Sequence, residues 1–412
     1  MNVADLTQDR LFNGLLKGFG GALSPGQISQ LLNRNVVIRM PRDRVHAGDL
    51  WPAAWALASV IERQFKGTIY LDIGLDTAPP APCTLGPRCR FESNRDSSAL
   101  TLCIGTNESD SNSICGDARL NRIGLCALEG APPTAVECFA IAGYLGYHAI
   151  AKALGIPANR EWAVRSTLDI DYDPDELAHR IHTADGYTSI GLGQVGQALL
   201  ALLWFSYGGD FANRRLALFD PDKFENKNQR TQILLAEGAA WDRQRKTNYI
   251  AELTRTWRAQ PNDGKRGIDW GWKRGDLPEI GLVGPHNFEV RRMACGAGFA
   301  QIIECGVGTN LLSPKVSWHS LRDNTNQFKS LFMDRTAQQS KIEECSWVAE
   351  LKKTPGECGW VQFLGITATA PCLGVTAAAL ALAELSCEQP AVKGSALLWS
   401  PFLPIFREPI AE

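Results

Sequence analysis

Residues 187–232 hold the pattern that most limits how this chain can fold. A strand-like run, Tyr187-Thr188-Ser189-Ile190, leads directly into Gly191-Leu192-Gly193-Gln194-Val195-Gly196. In a G-x-G-x-x-G sequence one glycine makes the tight turn, one lets backbone approach a phosphate, and one lets the following helix pack closely on the strand. The spacing predicts a helix over 194–206 and a second strand over 216–219, ending at Asp220-Pro221-Asp222. Acids at the end of that strand can hold ribose hydroxyls, which close helix–strand packing alone would not require. Strand, glycine turn, helix and strand together call for an α/β layer with a mostly parallel sheet.

The residues after the acids discriminate between nucleotides. Asn228, Arg230 and Gln232 follow within a dozen positions of Asp220. A nicotinamide-dependent dehydrogenase leaves them idle, whereas an enzyme attacking the α-phosphate of ATP needs such side chains against the triphosphate.

The chain reads as two similar halves. In the first, strands are expected over 35–40, 68–71 and 99–104, with a helix over 49–65 capped by Asp49 and a long helix over 133–154. Residues 77–112 read as surface loop around one of those strands. Gly74 and Gly105 are isolated there, so the first half keeps the shape of a nucleotide-binding domain without its site. The acidic run from Asp169 to Glu176 alternates like a calcium loop but lacks its central glycine and terminal glutamate, so it reads as a solvated linker or helix cap. The second half adds a strand over 300–304 and helices over 246–260 and 371–387. Trp257, Trp270 and Trp272 read as anchors of an irregular loop.

Charge and cysteine usage exclude several classes. The 412 residues carry a formal charge of −2 with dispersed Lys and Arg, which argues against a nucleic-acid partner. The N-terminal residues lack an apolar signal core and no stretch is long enough to span a membrane, so a cytoplasmic protein is expected. Twelve cysteines include no C-x-x-C pair, and the closest two are Cys83 and Cys89, so a structural zinc would need scattered ligands. Neither a Gly-x-Ser-x-Gly elbow nor a His-Glu-x-x-His helix is present.

The order Gly191 to Gly196, then Asp220-Pro-Asp222, then Asn228, Arg230 and Gln232 resembles the adenylation domain of E1-like enzymes of the ThiF/MoeB type, bacterial branch. The resemblance implies a doubly wound adenylation domain over 185–412, a linker over 166–184 and an inactive Rossmann-like domain over 1–165. It implies Asp220 and Asp222 as the ribose and metal pair, with Asp222 holding Mg2+, and Asn228, Arg230 and Gln232 at the phosphates of ATP. Lys246 matches the family's later lysine, with Arg243 and Arg245 as competitors. Two departures stand out: Thr231 occupies the family's arginine position, and His286, before Asn287, occupies that of its catalytic aspartate. A neutral imidazole is a poor ligand for a hard cation.

The family's transfer cysteine lies in a loop before the last helix. Cys358, flanked by Gly356 and Gly359, is the candidate, with Cys345 and Cys372 as alternatives. Adjacent Glu357 opposes thiolate formation there. Cys372 reads better as a small hydrophobe at a helix start. The implied activity is ATP-dependent adenylation of the C-terminal carboxylate of a ubiquitin-like protein, followed by transfer to a cysteine and an E2-like partner. A homodimer is compatible with it. The alternatives are an NAD(P)-dependent oxidoreductase, an adenylating enzyme for a small acid or sulfur carrier, and a catalytically impaired scaffold.

Overall fold

A computed structural model describes residues 30, 33–41, 48–75, 77–94, 98–105, 113–116, 133–153, 173–235, 243–264, 276–285, 287–307, 316–322, 370–386, 395–400 and 403–409. The first half builds a five-stranded sheet from β1 (Val36–Arg39), β2 (Ile69–Asp72), β3 (Cys89–Arg90), β4 (Leu100–Ile104) and β5 (Ser113–Gly116), ordered β3-β2-β1-β4-β5. Every pairing in it is parallel. Strands covered on both faces need continuous apolar runs, and Val36-Val37-Ile38 and the wholly buried Leu100–Ile104 supply them. The two-residue β3 lies inside the segment expected to be loop, too short to show a periodicity.

The second half repeats that order. Strands β6 (Gly186–Ile190), β7 (Arg215–Phe219), β8 (Gln260–Gly264), β9 (Ile280–Val283) and β10 (Gln301–Val307) run parallel as β8-β7-β6-β9-β10. Three antiparallel strands, β11 (Val316–Arg322), β12 (Ser395–Ser400) and β13 (Leu403–Pro409), extend the sheet beyond β10. The helix expected to run to residue 260 stops early, because Arg258 adopts a positive φ of 63° and the chain turns into β8. The strand expected to end before Cys305 continues through Cys305 and Gly306 to Val307, where it pairs with β11 alone.

Seven helices cover the sheets: α1 (Trp51–Gln64), α2 (Ala135–Ala153), α3 (Pro174–Thr183), α4 (Gln194–Ser206), α5 (Lys246–Thr256), α6 (Phe288–Cys295) and α7 (Ala370–Ala383), counted among the described residues. The helix expected to be capped by Asp49 has Leu50 at its cap, with no side-chain bond, and Pro52 in its first turn. Part of the segment read as a linker is the helix α3, whose cap Asp173 accepts bonds from the Asp175 and Glu176 amides at 2.9 and 3.1 Å.

Alternate residues of the second sheet face opposite ways. Leu216, Leu218, Leu282 and Ile303 enter one core, while Ala217, Phe219, Val283 and Ile302 enter another that holds Ala294 and Cys295 of α6. This sheet is therefore covered on both faces, as in a doubly wound fold. The larger core is continuous through both halves and contains α1, α2, α4 and the fully buried α7. Small residues make that crossing close: a side chain at Gly143 of α2 would collide with Thr376 of α7. No helix among the described residues is long and apolar enough to cross a membrane.

Candidate functional site

Strand β6 lies between β7 and β9, so the turn after Ile190 opens where the sheet's strand order reverses. Gly191 takes φ +82°, a left-handed value that favours glycine, and a Cβ there would lie 3.0 Å from the Pro285 nitrogen. Its amide donates to the Phe219 carbonyl at 2.7 Å, tying the turn to the end of β7. A side chain at Gly196 would collide with the Gly191 carbonyl, so α4 approaches the turn only through this glycine. Gly193 caps α4, and among the described residues nothing beyond its chain neighbours lies within 4 Å of where its Cβ would stand. No side chain caps α4, so its first amides face that open side, a geometry suited to an anion.

The two acids have different surroundings. Asp220 is buried, and its carboxylate accepts from the Leu192 amide at 2.7 Å and the Asp222 amide at 2.9 Å. Burial pushes its pKa above the usual carboxylate value, and Lys246 with the backbone amides works against that shift. Asp222 points outward, with its side chain 66% exposed. Lys246, the first residue of α5, places its ammonium 2.9 Å from Asp222 and 3.5 Å from Asp220 while only 8% exposed. A buried cation therefore stands beside the glycine turn and between its two carboxylates.

The tail forms the 3-10 helix Asn226–Arg230. Asn228 is buried, and its side-chain oxygen accepts from the Glu225 amide at 2.8 Å. Arg230 is half-buried and donates to the Arg63 carbonyl at 3.4 Å. Gln232 is buried, and its side-chain oxygen accepts from Gln197 at 2.7 Å. Gln197 also donates to the Leu192 carbonyl at 3.0 Å and accepts from the Leu234 amide at 3.0 Å, so Gln232 touches the glycine turn through Gln197. Asn287 caps α6, accepting from the Glu289 and Val290 amides at 2.8 and 3.4 Å. His286, Cys345, Cys358, Trp270 and Trp272 lie outside the described residues.

Sequence reading missed three groups. Arg63 of α1, almost wholly buried, donates to the carbonyls of Gln232, Ile233 and Leu235. Gln197 links the tail to the turn. Arg291 of α6 donates to the Pro285 carbonyl at 2.6 Å and pairs with Glu304 of β10 at 2.5 Å, both side chains buried, which fixes Pro285 against Gly191. Glu304 in the apolar run Ile302-Ile303-Glu304-Cys305 was the one legible sign, since a buried carboxylate requires a partner.

Cys372 packs at the start of α7 as expected of a small hydrophobe. Its thiol is pushed up to about 12 by burial and accepts from Gln64 at 2.8 Å. Trp257 is buried and anchors the second half to the Pro82 carbonyl at 2.9 Å. Among the described residues no three His, Cys, Asp or Glu side chains cluster to hold a metal ion.

Residues 187–389 match the family described as the BilD C-terminal domain. The chain is 28% identical over 238 residues to the Bacterial E1-like protein BilD of Collimonas sp. (strain OK412), covering 53% of this chain and 47% of that protein. It thus spans about half the length of the curated relative it matches. Among solved structures it is similar to E. coli MccB with ATP, at TM-score 0.36 and 14% identity over 66% of this chain and 70% of that one. It is also similar to E. coli MccB with MccA, at TM-score 0.39 and 15% identity over 68% and 89%. The second half of the chain, residues 187–389, is thus similar to the C-terminal domain of bacterial E1-like proteins of the BilD kind.

Proposed function

We propose that this chain uses ATP to adenylate the C-terminal carboxylate of a ubiquitin-like protein. The observation that carries the reading is the buried Lys246 ammonium between Asp220 and Asp222, beside a glycine turn whose Leu192 amide is held by Asp220. A dehydrogenase has no need for a cation at that point, whereas a triphosphate brings negative charge that an ammonium and a helix N-terminus offset.

The residues divide the work as follows. Gly191, Gly193 and Gly196 shape the turn, and the open side of Gly193 admits phosphate oxygens to the α4 amides. Asp220 holds the turn from below, and Asp222 faces the ribose from outside. Lys246, Asn228 and Arg230 meet the phosphates, with Lys246 exchanging Asp222 for the ligand, and Gln232 acts through Gln197. Mg2+ fits the same opening, because it takes one or two carboxylates together with phosphate oxygens and waters, and when bound it offsets phosphate charge. Asp222 is the exposed carboxylate available to it.

In the reaction, a carboxylate oxygen attacks the α-phosphorus, the bond to the β-phosphate oxygen breaks, and pyrophosphate leaves with the acyl adenylate remaining. Arg230 and Lys246 stabilise the charge gathered on the departing group. The Cys358 thiolate then attacks the acyl carbon, AMP leaves and a thioester forms, from which an E2-like partner's thiol takes the acyl group. The protein works in the cytoplasm in this reading.

ATP–pyrophosphate exchange with small proteins ending in glycine tests the proposal. Asp222→Ala is expected to abolish exchange, and Cys358→Ala to keep exchange while losing the reducible conjugate. Exchange that survives in Asp222→Ala would sink the assignment. Absence of ATP binding by calorimetry, with or without magnesium, would favour a scaffold with His286 in place of the family's acid.

A further inference from the structure

We infer that Arg63, in the half without a glycine turn, is a positioning residue for the nucleotide site of the other half. Arg63 sits near the end of α1 and is 5% exposed. Its guanidinium donates from Nε to the Gln232 carbonyl at 2.8 Å and from Nη2 to the Ile233 and Leu235 carbonyls at 3.1 and 2.7 Å. Nη1 donates to the Ser59 carbonyl of its own helix at 2.7 Å and lies 3.6 Å from the buried Glu62 carboxylate. The planar fork of a guanidinium can serve several carbonyls in fixed directions, which a lysine ammonium cannot reproduce.

The carbonyls it holds follow directly on Asn228 and Arg230, and a short relay leads from them to the turn. Gln232, fixed at its carbonyl by Arg63, receives Gln197 at its side chain, and Gln197 donates to Leu192 between Gly191 and Gly193. Gln197 also receives the Leu234 amide, so the segment Arg63 grips and the turn share one side chain. Cys83 adds a second contact from the first half, its thiol 3.7 Å from the Ile233 carbonyl. The half that lacks a glycine turn thus sets the distance between the tail and the turn in the half that has one.

The effect of Arg63 on activity rests on the adenylation reading above, whereas its effect on the geometry of the turn does not. The full-length chain with Arg63→Lys or Arg63→Met is compared with wild type by amide hydrogen exchange and by titration with a fluorescent ATP analogue. The Leu234 and Leu192 amides, each bonded to a side chain of the site, are expected to exchange about tenfold faster, while the β6 and β7 ladder amides keep their protection. Analogue affinity is expected to fall about tenfold, and in pyrophosphate exchange KM for ATP to rise more than kcat falls. Gln197→Met, which cuts the relay beyond Arg63 and leaves α1 untouched, is expected to release Leu192 in the same way. Unchanged Leu192 exchange in a folded Arg63→Lys protein overturns the inference, as it does in Gln197→Met should both Arg63 variants fail to fold. A wild-type chain that binds no nucleotide defeats the adenylation reading and leaves the exchange comparison to decide on Arg63.

Discussion

Both halves place a parallel sheet in the same order, with the first strand between the second and the fourth, yet they finish their strands differently. In the first, Met40 follows β1 and donates to the Asp72 carbonyl, and the Asp72 carboxylate is taken by Arg39 at 3.1 Å and Ser93 at 2.8 Å. In the second, Gly191 makes the equivalent bond to Phe219, and Asp220, one residue further on, accepts from the turn's own amide with Lys246 at its side. One acid is neutralised inside its sheet, while the other organises an opening. Strand order follows from apolar packing, which both halves share, whereas a site depends on a few residues at strand ends, which can be lost without disturbing the sheet.

The sharpest way to break this comparison is to treat the two acids alike. Asp220→Ala removes the acceptor of two backbone amides and a partner of Lys246, and nucleotide affinity measured by calorimetry is expected to fall about a hundredfold. Asp72→Ala is expected to leave that affinity unchanged. Equal losses would show that the first sheet also serves the nucleotide.

The ion pairs of the two halves should separate by stability. Glu304→Ala leaves the buried Arg291 without its carboxylate and is expected to cost about 3–5 kcal/mol in denaturant unfolding. Asp72→Ala releases an Arg39 side chain that is 27% exposed and is expected to cost about 1 kcal/mol, since water replaces part of the lost partner.

Exchanging the residues after the first strands is a milder test. Gly191→Ala forces a Cβ onto φ +82° against Pro285 and is expected to destabilise by about 1–3 kcal/mol while weakening the nucleotide analogue. Met40→Gly is expected to confer no binding on the first half, because Arg39 still occupies Asp72.

Acidification should affect the halves in different ways. His148 of α2 packs against Tyr144 with the rings tilted by 56° and centroids 4.2 Å apart, and burial pushes its pKa down to about 4 from 6.5. The folded chain then resists a proton that the unfolded chain accepts, so this stability is present above pH 6.5 and is lost as pH falls toward 4. His148→Phe is expected to flatten that part of the pH–stability profile. In the second half, burial raises Asp220, so analogue binding is expected to weaken on acidification from above the ordinary carboxylate range. Asp222→Asn is expected to leave this loss in place.

Much of the architecture was legible because it depends on local rules. The glycine turn, the helix Gln194–Ser206 and the strand before the acids follow from glycine conformation and apolar periodicity, and they lie where the residues predict them. The two-residue β3 and the Pro-containing β8 were not legible, since their pairing partners and not their own composition make them strands. Within the site, sequence placed Asp220 and Asp222 at one strand end but could not tell which is buried. It placed Gln232 beside Asn228 but could not reveal that Gln197 takes its side chain.

By itself, then, the sequence determined that a glycine turn follows a strand, where it begins and what acids and amides follow it, because those features lie within some forty residues of one another. Only the tertiary structure decided that Lys246 stands between the acids, that Arg291 and Glu304 brace the facing loop, and that Arg63 reaches the tail from 169 residues away. Contacts of that separation leave no periodic trace in a single chain. They form because burying a charge requires a partner, and the partner is whichever group the packed core brings within reach.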